Sequence, residues 1–193
     1  MIAAMMVAVL SANAQQMFIK PMVGGALTTI TGDVDNAKMK FGFTAGAEFG
    51  YQVNDMFTVT AGALYTMEGA KKDSDSKLKT EYLNIPVLAN FYVAPGLALK
   101  AGAQFGFLTK GKAEIYDVDV DIKDFMNSFD FSIPVGISYE FSDFVIDARY
   151  NFGISNIVKD NVSPIGAGES FYKPNAKAHN AVIMLTLGYK INL

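Results

Sequence analysis

The chain contains no cysteine, which excludes disulfides and thiolate metal sites. Charge is sparse too. Asp, Glu, Lys and Arg make up 18% of the 193 residues, below the roughly 25% usual in soluble domains. The formal net charge of −3 gives no reason to expect nucleic acid or an anionic membrane surface as a partner. Past the N-terminus, no stretch approaches the roughly 18 consecutive apolar residues that a membrane helix needs. Yet 51% of the residues are apolar and the mean hydropathy is +0.22. An apolar chain without an apolar helix implies hydrophobicity dispersed along alternating strands. The 17 glycines and the 12% aromatic fraction point the same way, and the length suits one domain.

Met1 to Leu10 are all apolar, too short a run to span a bilayer. Ala12-Asn13-Ala14 then fits the small-x-small pattern of a signal-peptidase site, although no Lys or Arg precedes the apolar run. The expected organisation is a signal peptide over residues 1–14 and one β-barrel domain over residues 15–193.

Strict alternation dominates the rest. Phe41, Phe43, Ala45, Ala47, Phe49, Tyr51 and Val53 are separated by Gly42, Thr44, Gly46, Glu48, Gly50 and Gln52. The same period runs through residues 57–68, 83–93, 97–107, 129–141, 144–155 and 183–193, and more weakly through 18–30. That makes eight strands. Asn54-Asp55, Ala94-Pro95-Gly96 and Ser142-Asp143 carry the chemistry of tight turns. The other connections, roughly 31–38, 69–79, 111–128 and 157–178, are longer. Short turns opposite long loops match outer-membrane barrels, with periplasmic turns and extracellular loops.

Volume decides which face meets water. An eight-stranded barrel has an interior just wide enough for side chains to fill. The Phe, Tyr, Ile and Leu face is too bulky to point inward, whereas the Gly, Ser and Thr face suits a crowded lumen. The apolar face therefore points out, and only lipid tolerates it there. Tyr51, Phe57, Phe91, Tyr139, Phe141, Phe144 and Tyr189 are expected to ring the periplasmic interface, with Phe41, Tyr65, Phe107 and Phe129 nearer the other. The resulting fold class is all-β: an eight-stranded antiparallel up-and-down transmembrane β-barrel with four longer extracellular loops, in the outer membrane of a Gram-negative bacterium.

Several segments resemble a known family. They are Tyr82-Leu83-Asn84-Ile85-Pro86-Val87-Leu88, the run from Leu97 to Gly106, Phe131-Ser132-Ile133-Pro134-Val135-Gly136, and Asp147-Ala148-Arg149-Tyr150-Asn151-Phe152-Gly153. Together they resemble the PorT-like outer-membrane β-barrel family over essentially the whole mature chain. The resemblance implies fold and location and leaves activity open. Pro86 and Pro134 lie mid-strand, and each must drop a ladder hydrogen bond. A bulge or a locally widened pair is expected at each.

The inward-facing charges are the first candidate site: Lys20, Glu48, Lys100, Asp130, Glu140, Asp147, Arg149 and Lys190. Buried unpaired, each would cost several kcal/mol or change protonation. Paired, they form a network that closes the lumen, in preference to lining an ion path through so narrow a bore. Asp117, Asp119 and Asp121 form a second candidate. Alternation places their carboxylates about 6.5–7 Å apart on one side of a β-extension. Asp-x-Asp-x-Asp is the start of a calcium loop, but Ile122 and Ser128 stand where that loop needs Gly and Glu. The basic loop around Lys71 and Lys72 is a third, suited to lipopolysaccharide phosphates or simply to solvent. His179, the sole histidine, is expected near the extracellular rim with Ser163 and Ser170 in the loop before it, so a catalytic dyad is an alternative.

The leading expectation is a non-enzymatic barrel working through its loops, without a cofactor. A rim lipid hydrolase or transferase and a narrow pore are the alternatives. The expected partners are outer-membrane lipid and lipopolysaccharide, the barrel assembly machinery during insertion, and a surface ligand or envelope protein.

Overall fold

The computed structural model describes residues 17–32, 39–73, 76–115, 118–121, 123, 126–157 and 178–193. The signal-peptide segment lies outside them. The strands are β1 (Met17–Gly32), β2 (Lys40–Asn54), β3 (Phe57–Asp73), β4 (Ser76–Ala94), β5 (Leu97–Ile115), β6 (Val118–Asp121), β7 (Phe129–Phe141), β8 (Phe144–Gly153), β9 (Ala178–Tyr189) and β10 (Ile191–Asn192). The order β1-β2-β3-β4-β5-β7-β8-β9 closes because β9 pairs back onto β1. The barrel thus has eight antiparallel staves; β10 extends β9 along β1, and β6 folds back on the end of β5.

Side chains alternate across the wall because successive residues of a strand point to opposite faces. On β9, Leu185 is 60% exposed and its neighbour Met184 is 1% exposed. Phe43, Phe91, Phe107, Phe129, Ile137, Phe152 and Leu187 are likewise exposed on the outside. Thr44, Thr58, Thr60, Thr66, Asn90, Gln104 and Ser138 are buried in the lumen. Near the short turns, Phe144 stacks on Phe141 at 5.7 Å and meets Tyr189 edge-on at 5.2 Å, forming one arc of an aromatic belt.

The tight turns fall between β2 and β3, β4 and β5, and β7 and β8. Gly96, at φ 76°, supplies the left-handed residue of the β4–β5 turn, and Ser142, at φ 53°, takes that conformation between β7 and β8. At the other end two of the expected loops are shorter than the sequence pattern suggests. Pairing continues to Asp73 and Ser76, so most of residues 69–79 is strand. Likewise β5 runs to Ile115, and β6 places Asp121 opposite Lys112 and Asp119 opposite Glu114. The physical reason is simple. Apolar alternation ends where lipid ends, while backbone pairing continues into water.

Neither mid-strand proline creates a bulge. Pro86 keeps register with Gln104 of β5, but on the β3 side the ladder skips from Ala61–Val87 to Leu64–Asn84 without a shift. Pro134 keeps register with Asn151 of β8 and leaves the same gap toward β5, between Ala101–Val135 and Gln104–Ser132. Pro21 repeats the pattern, paired with Ala47 on β2 and beside a break between β9 and β10. Each proline lacks an N–H on one side only, so one ladder opens locally and the other holds.

Candidate functional site: a charge network across the lumen

Five of the inward charges meet in one cluster. Lys20 comes from β1, Glu48 from β2, Lys100 from β5, and Asp147 and Arg149 from β8; all are at most 5% exposed. Lys20 Nζ lies 2.9 Å from Glu48 Oε2 and 3.9 Å from Asp147 Oδ2. Lys100 donates to Asp147 and sits 3.9 Å from Glu48 Oε2. Arg149 Nη2 donates to Glu48 Oε1 at 2.7 Å and to Asp147 Oδ2 at 2.9 Å, and Nε donates to Asp147 Oδ1 at 2.8 Å. In the stave order β1 and β5 stand four apart, across the barrel. Lys20 and Lys100 therefore reach the same carboxylates from opposite walls.

Glycine makes room for these long side chains. A Cβ on Gly62 would fall 2.7 Å from Glu48 Cγ and 2.8 Å from the Ala47 carbonyl oxygen. One on Gly136 would fall 2.8 Å from Arg149 Cβ. The network holds three cations, Lys20, Lys100 and Arg149, against two carboxylates, a formal excess of one positive charge.

The remaining inward charges sit elsewhere. Toward the short-turn end Lys190 Nζ pairs with Glu140 Oε2 at 3.1 Å and lies 4.5 Å from the Phe18 ring centroid, while the Tyr92 hydroxyl also binds Glu140. Toward the long-loop end Asp130 accepts from Asn180 Nδ2 at 3.0 Å. Sequence reading singled out neither Glu68 nor the asparagines of this level. Glu68 is buried, accepting from Asn84 Nδ2 at 3.1 Å, while its own backbone carbonyl accepts from Lys40 Nζ at 2.8 Å. The signal was there: Glu68 follows Thr66 at the inward period.

Two apolar layers interrupt this polar column. Met22, Ala26, Leu64, Val182 and Met184 form one inside the barrel. At the long-loop end, Met126 and Ile157 fold over Tyr82, Leu108 and Ala178, with Ile30 packed alongside. Backbone hydrogen bonds hold this cap: Leu108 N to the Ser128 oxygen (2.8 Å), Asn127 N to the Ile157 oxygen (2.9 Å) and Ile157 N to the Ala178 oxygen (2.9 Å). The alternation pattern could not show this cap, because its residues lie in the connections.

The other candidates that the structure describes lie on three different strands, β3, β6 and β9. His179 Nδ1 lies 2.9 Å from the Ser155 carbonyl oxygen; Ser163 and Ser170 fall outside the described residues. Asp119 and Asp121 lie on β6, and Asp117 falls outside. Lys71 and Lys72 lie on β3, with Lys71 in register with Lys77. Among the described residues no group of three or more His, Cys, Asp or Glu side chains is placed to hold a metal ion.

A closed antiparallel barrel with an apolar exterior and a polar, filled interior is a transmembrane barrel of the outer-membrane class. More particularly, the chain belongs to the outer membrane protein beta-barrel domain family, whose model matches residues 10–159. Its place is the outer membrane of a Gram-negative bacterium. Similar solved structures include Ail, the attachment invasion locus protein of Yersinia pestis, in complex with the heparin analogue sucrose octasulfate. That match has 18% identity and a TM-score of 0.53 over 91% of this chain and 99% of the other. Neisserial surface protein A (NspA) matches with 14% identity and a TM-score of 0.56 over 94% and 100%. At these identities the likeness is one of fold. No curated protein sequence matches.

Proposed function

We propose that this protein is a non-enzymatic outer-membrane barrel, sealed along its lumen, that acts at the cell surface through its long loops and upper rim. The carrying observation is the cluster of Lys20, Glu48, Lys100, Asp147 and Arg149, whose ion pairs reach across the bore from opposite walls. A hydrated ion passing that level must break several buried ion pairs. Breaking one such pair costs roughly 3–5 kcal/mol. With its transport path closed, the barrel retains its surface as the working part. On this reading residues 1–14 are removed after export, the barrel assembly machinery inserts residues 15–193, and outer-membrane lipid and lipopolysaccharide surround the product. The motifs around Pro86, Pro134 and Arg149 support placing it among PorT-like barrels. Lys71 and Lys72 on β3, Asp119 and Asp121 on β6, and Asp117 are the proposed contacts for a surface ligand or envelope protein.

The rim-enzyme reading rests on His179, whose ring contacts a backbone carbonyl at Ser155. That contact orients the ring and, with Nδ1 donating, leaves Nε2 open, so by itself it supplies no nucleophile. On the non-enzymatic reading, His179→Ala leaves lipid A and the host envelope unchanged.

Planar-bilayer recording tests the seal. The wild-type chain should give no steady conductance, whereas Glu48→Ala paired with Arg149→Ala, which empties the middle of the cluster, should give small openings. Large, steady wild-type openings would replace the sealed-barrel reading with a pore.

A further inference from the structure

A guanidinium carries five N–H donors, and in Arg149 three of them are answered. Nε donates to Asp147 Oδ1, while Nη2 donates to Asp147 Oδ2 and to Glu48 Oε1. The other two donors are both on Nη1. That atom is buried and has no hydrogen-bond partner among the described residues. The Arg149 side chain as a whole is 1% exposed. A guanidinium stays protonated inside a protein, so Arg149 cannot shed the protons it leaves unanswered. A buried donor without a partner is costly, and more so when it is charged.

Charge makes the same point independently. Lys20, Lys100 and Arg149 face only Glu48 and Asp147, a surplus of one positive charge. Among the described residues, the salt bridges of these five run within the cluster and nowhere else. The neighbouring levels do not offset the surplus. Toward the short turns, Glu140 is already paired with Lys190. Toward the long loops stands the apolar layer around Leu64, and one of its members, Met184, is the register partner of Arg149 on β9. A charge left over at such burial is expensive unless something compensates it.

The possible remedies differ in what they answer. Loss of a proton from Lys20 or Lys100 removes the surplus charge but leaves both Nη1 protons unanswered. A water on Nη1, shared with the equally unpartnered Asn151 Oδ1 on the same strand, answers a donor but leaves the charge. One bound anion does both.

We propose that the cluster holds a small monovalent anion of the halide class on Arg149 Nη1. The ion is small because the atom that binds it is enclosed by the barrel wall. It is monovalent because the surplus is one; sulfate or a phosphate dianion would bring a charge the cluster does not match. With it, three cations face two carboxylates and one anion, and the cluster is neutral. The site deepens the reading of the lumen given above and rests on the same five residues, but not on the lumen being shut.

Urea unfolding of the full chain in vesicles tests the proposal, with the protein refolded separately in chloride and in gluconate at equal ionic strength. Gluconate is too large to enter the cluster. A ligand that binds the folded state alone stabilises it as its concentration rises. The wild-type midpoint should therefore climb as chloride replaces gluconate. Lys100→Met leaves two cations against two carboxylates, so its midpoint should not share that climb. Any general effect of the salts on the solvent acts on both chains alike and drops out of the comparison. Wild-type crystals grown from bromide supply a readout that needs no variant: an anomalous peak in contact with Nη1. Chloride dependence equal in the wild type and Lys100→Met would overturn the site. So would bromide crystals that show only water at Nη1. Conductance is read separately. A sealed chain with no specific chloride response fails this site alone, and a conducting chain with bromide on Nη1 fails the sealed-barrel reading alone.

Discussion

Glu48 shows what one residue does in a crowded, charged lumen. Its carboxylate meets Lys20 at 2.9 Å and Arg149 at 2.7 Å, and it is fully buried. Glu48→Ala leaves three cations facing Asp147 alone. Removing one partner of a buried ion pair typically costs about 3–5 kcal/mol, so urea unfolding of the barrel in vesicles should show a loss of that size. A loss near zero would mean that water or a counter-ion reaches the cluster freely. Gly62 is the complementary case, because its missing Cβ is the space that Glu48 Cγ occupies. Gly62→Val should cost about 1–3 kcal/mol by overpacking, measured in the same unfolding series. At this scale the sequence was informative about direction and silent about partners. Parity placed Lys20, Glu48, Lys100, Asp147 and Arg149 inside together with Glu140, Lys190 and Asp130. Which of them touch depends on the stagger between staves, and no single strand encodes that. Glu68 had the same parity but is the last residue of the alternating run 57–68, at the edge of the connection expected from residue 69.

Strands carry a different kind of information. Each apolar face is lipid-facing because the alternative face is too small to cover, and Leu185 at 60% exposure is a clear instance. Leu185→Arg should destabilise the folded barrel by about 2–4 kcal/mol in a bilayer, the cost of a charge near the hydrocarbon midplane. In a soluble barrel the same exposed change would be nearly neutral. Pro86 makes a second prediction. It opens the β3–β4 ladder without shifting register, so Pro86→Val can supply the missing N–H with no rearrangement of β5. The expected gain is about 0.5–1.5 kcal/mol, together with a slowly exchanging amide at that position in hydrogen-exchange spectra. A fast amide there would show that barrel curvature, and not proline, opens the ladder. Eight staves and three tight turns were legible from alternation and turn chemistry. The upper ends of β3, β4 and β5 were not, because their pairing outlasts the apolar pattern. A bulge at Thr109, where Leu108 pairs with Tyr82 but Lys110 with Glu81, was hidden for a related reason: it changes phase just where hydrophobicity stops reporting phase.

At the scale of the whole molecule the lumen is a stack. Lys190 with Glu140 lies at the short-turn end, the five-residue ion network above it, an apolar layer around Leu64 next, then Glu68 and Asp130, and the Met126–Ile157 cap last. Side chains filling the lumen at several levels support the proposal that the protein works from its outer surface. The cap could not be read from the sequence, since Met126 and Ile157 belong to connections whose path is fixed by tertiary hydrogen bonds. Lumen, lipid face and rim are all defined by one assignment: the apolar face of each stave points out.

The absence of cysteine allows that assignment to be tested one position at a time. Single cysteines at Val59 and Leu185 on the outer face, and at Thr60 and Thr186 on the inner face, can each carry a small fluorophore in vesicles containing brominated lipid. Strong quenching at Val59 and Leu185, with little at Thr60 and Thr186, is the predicted result. The reverse pattern, or no quenching at any of the four, would contradict the membrane barrel described here.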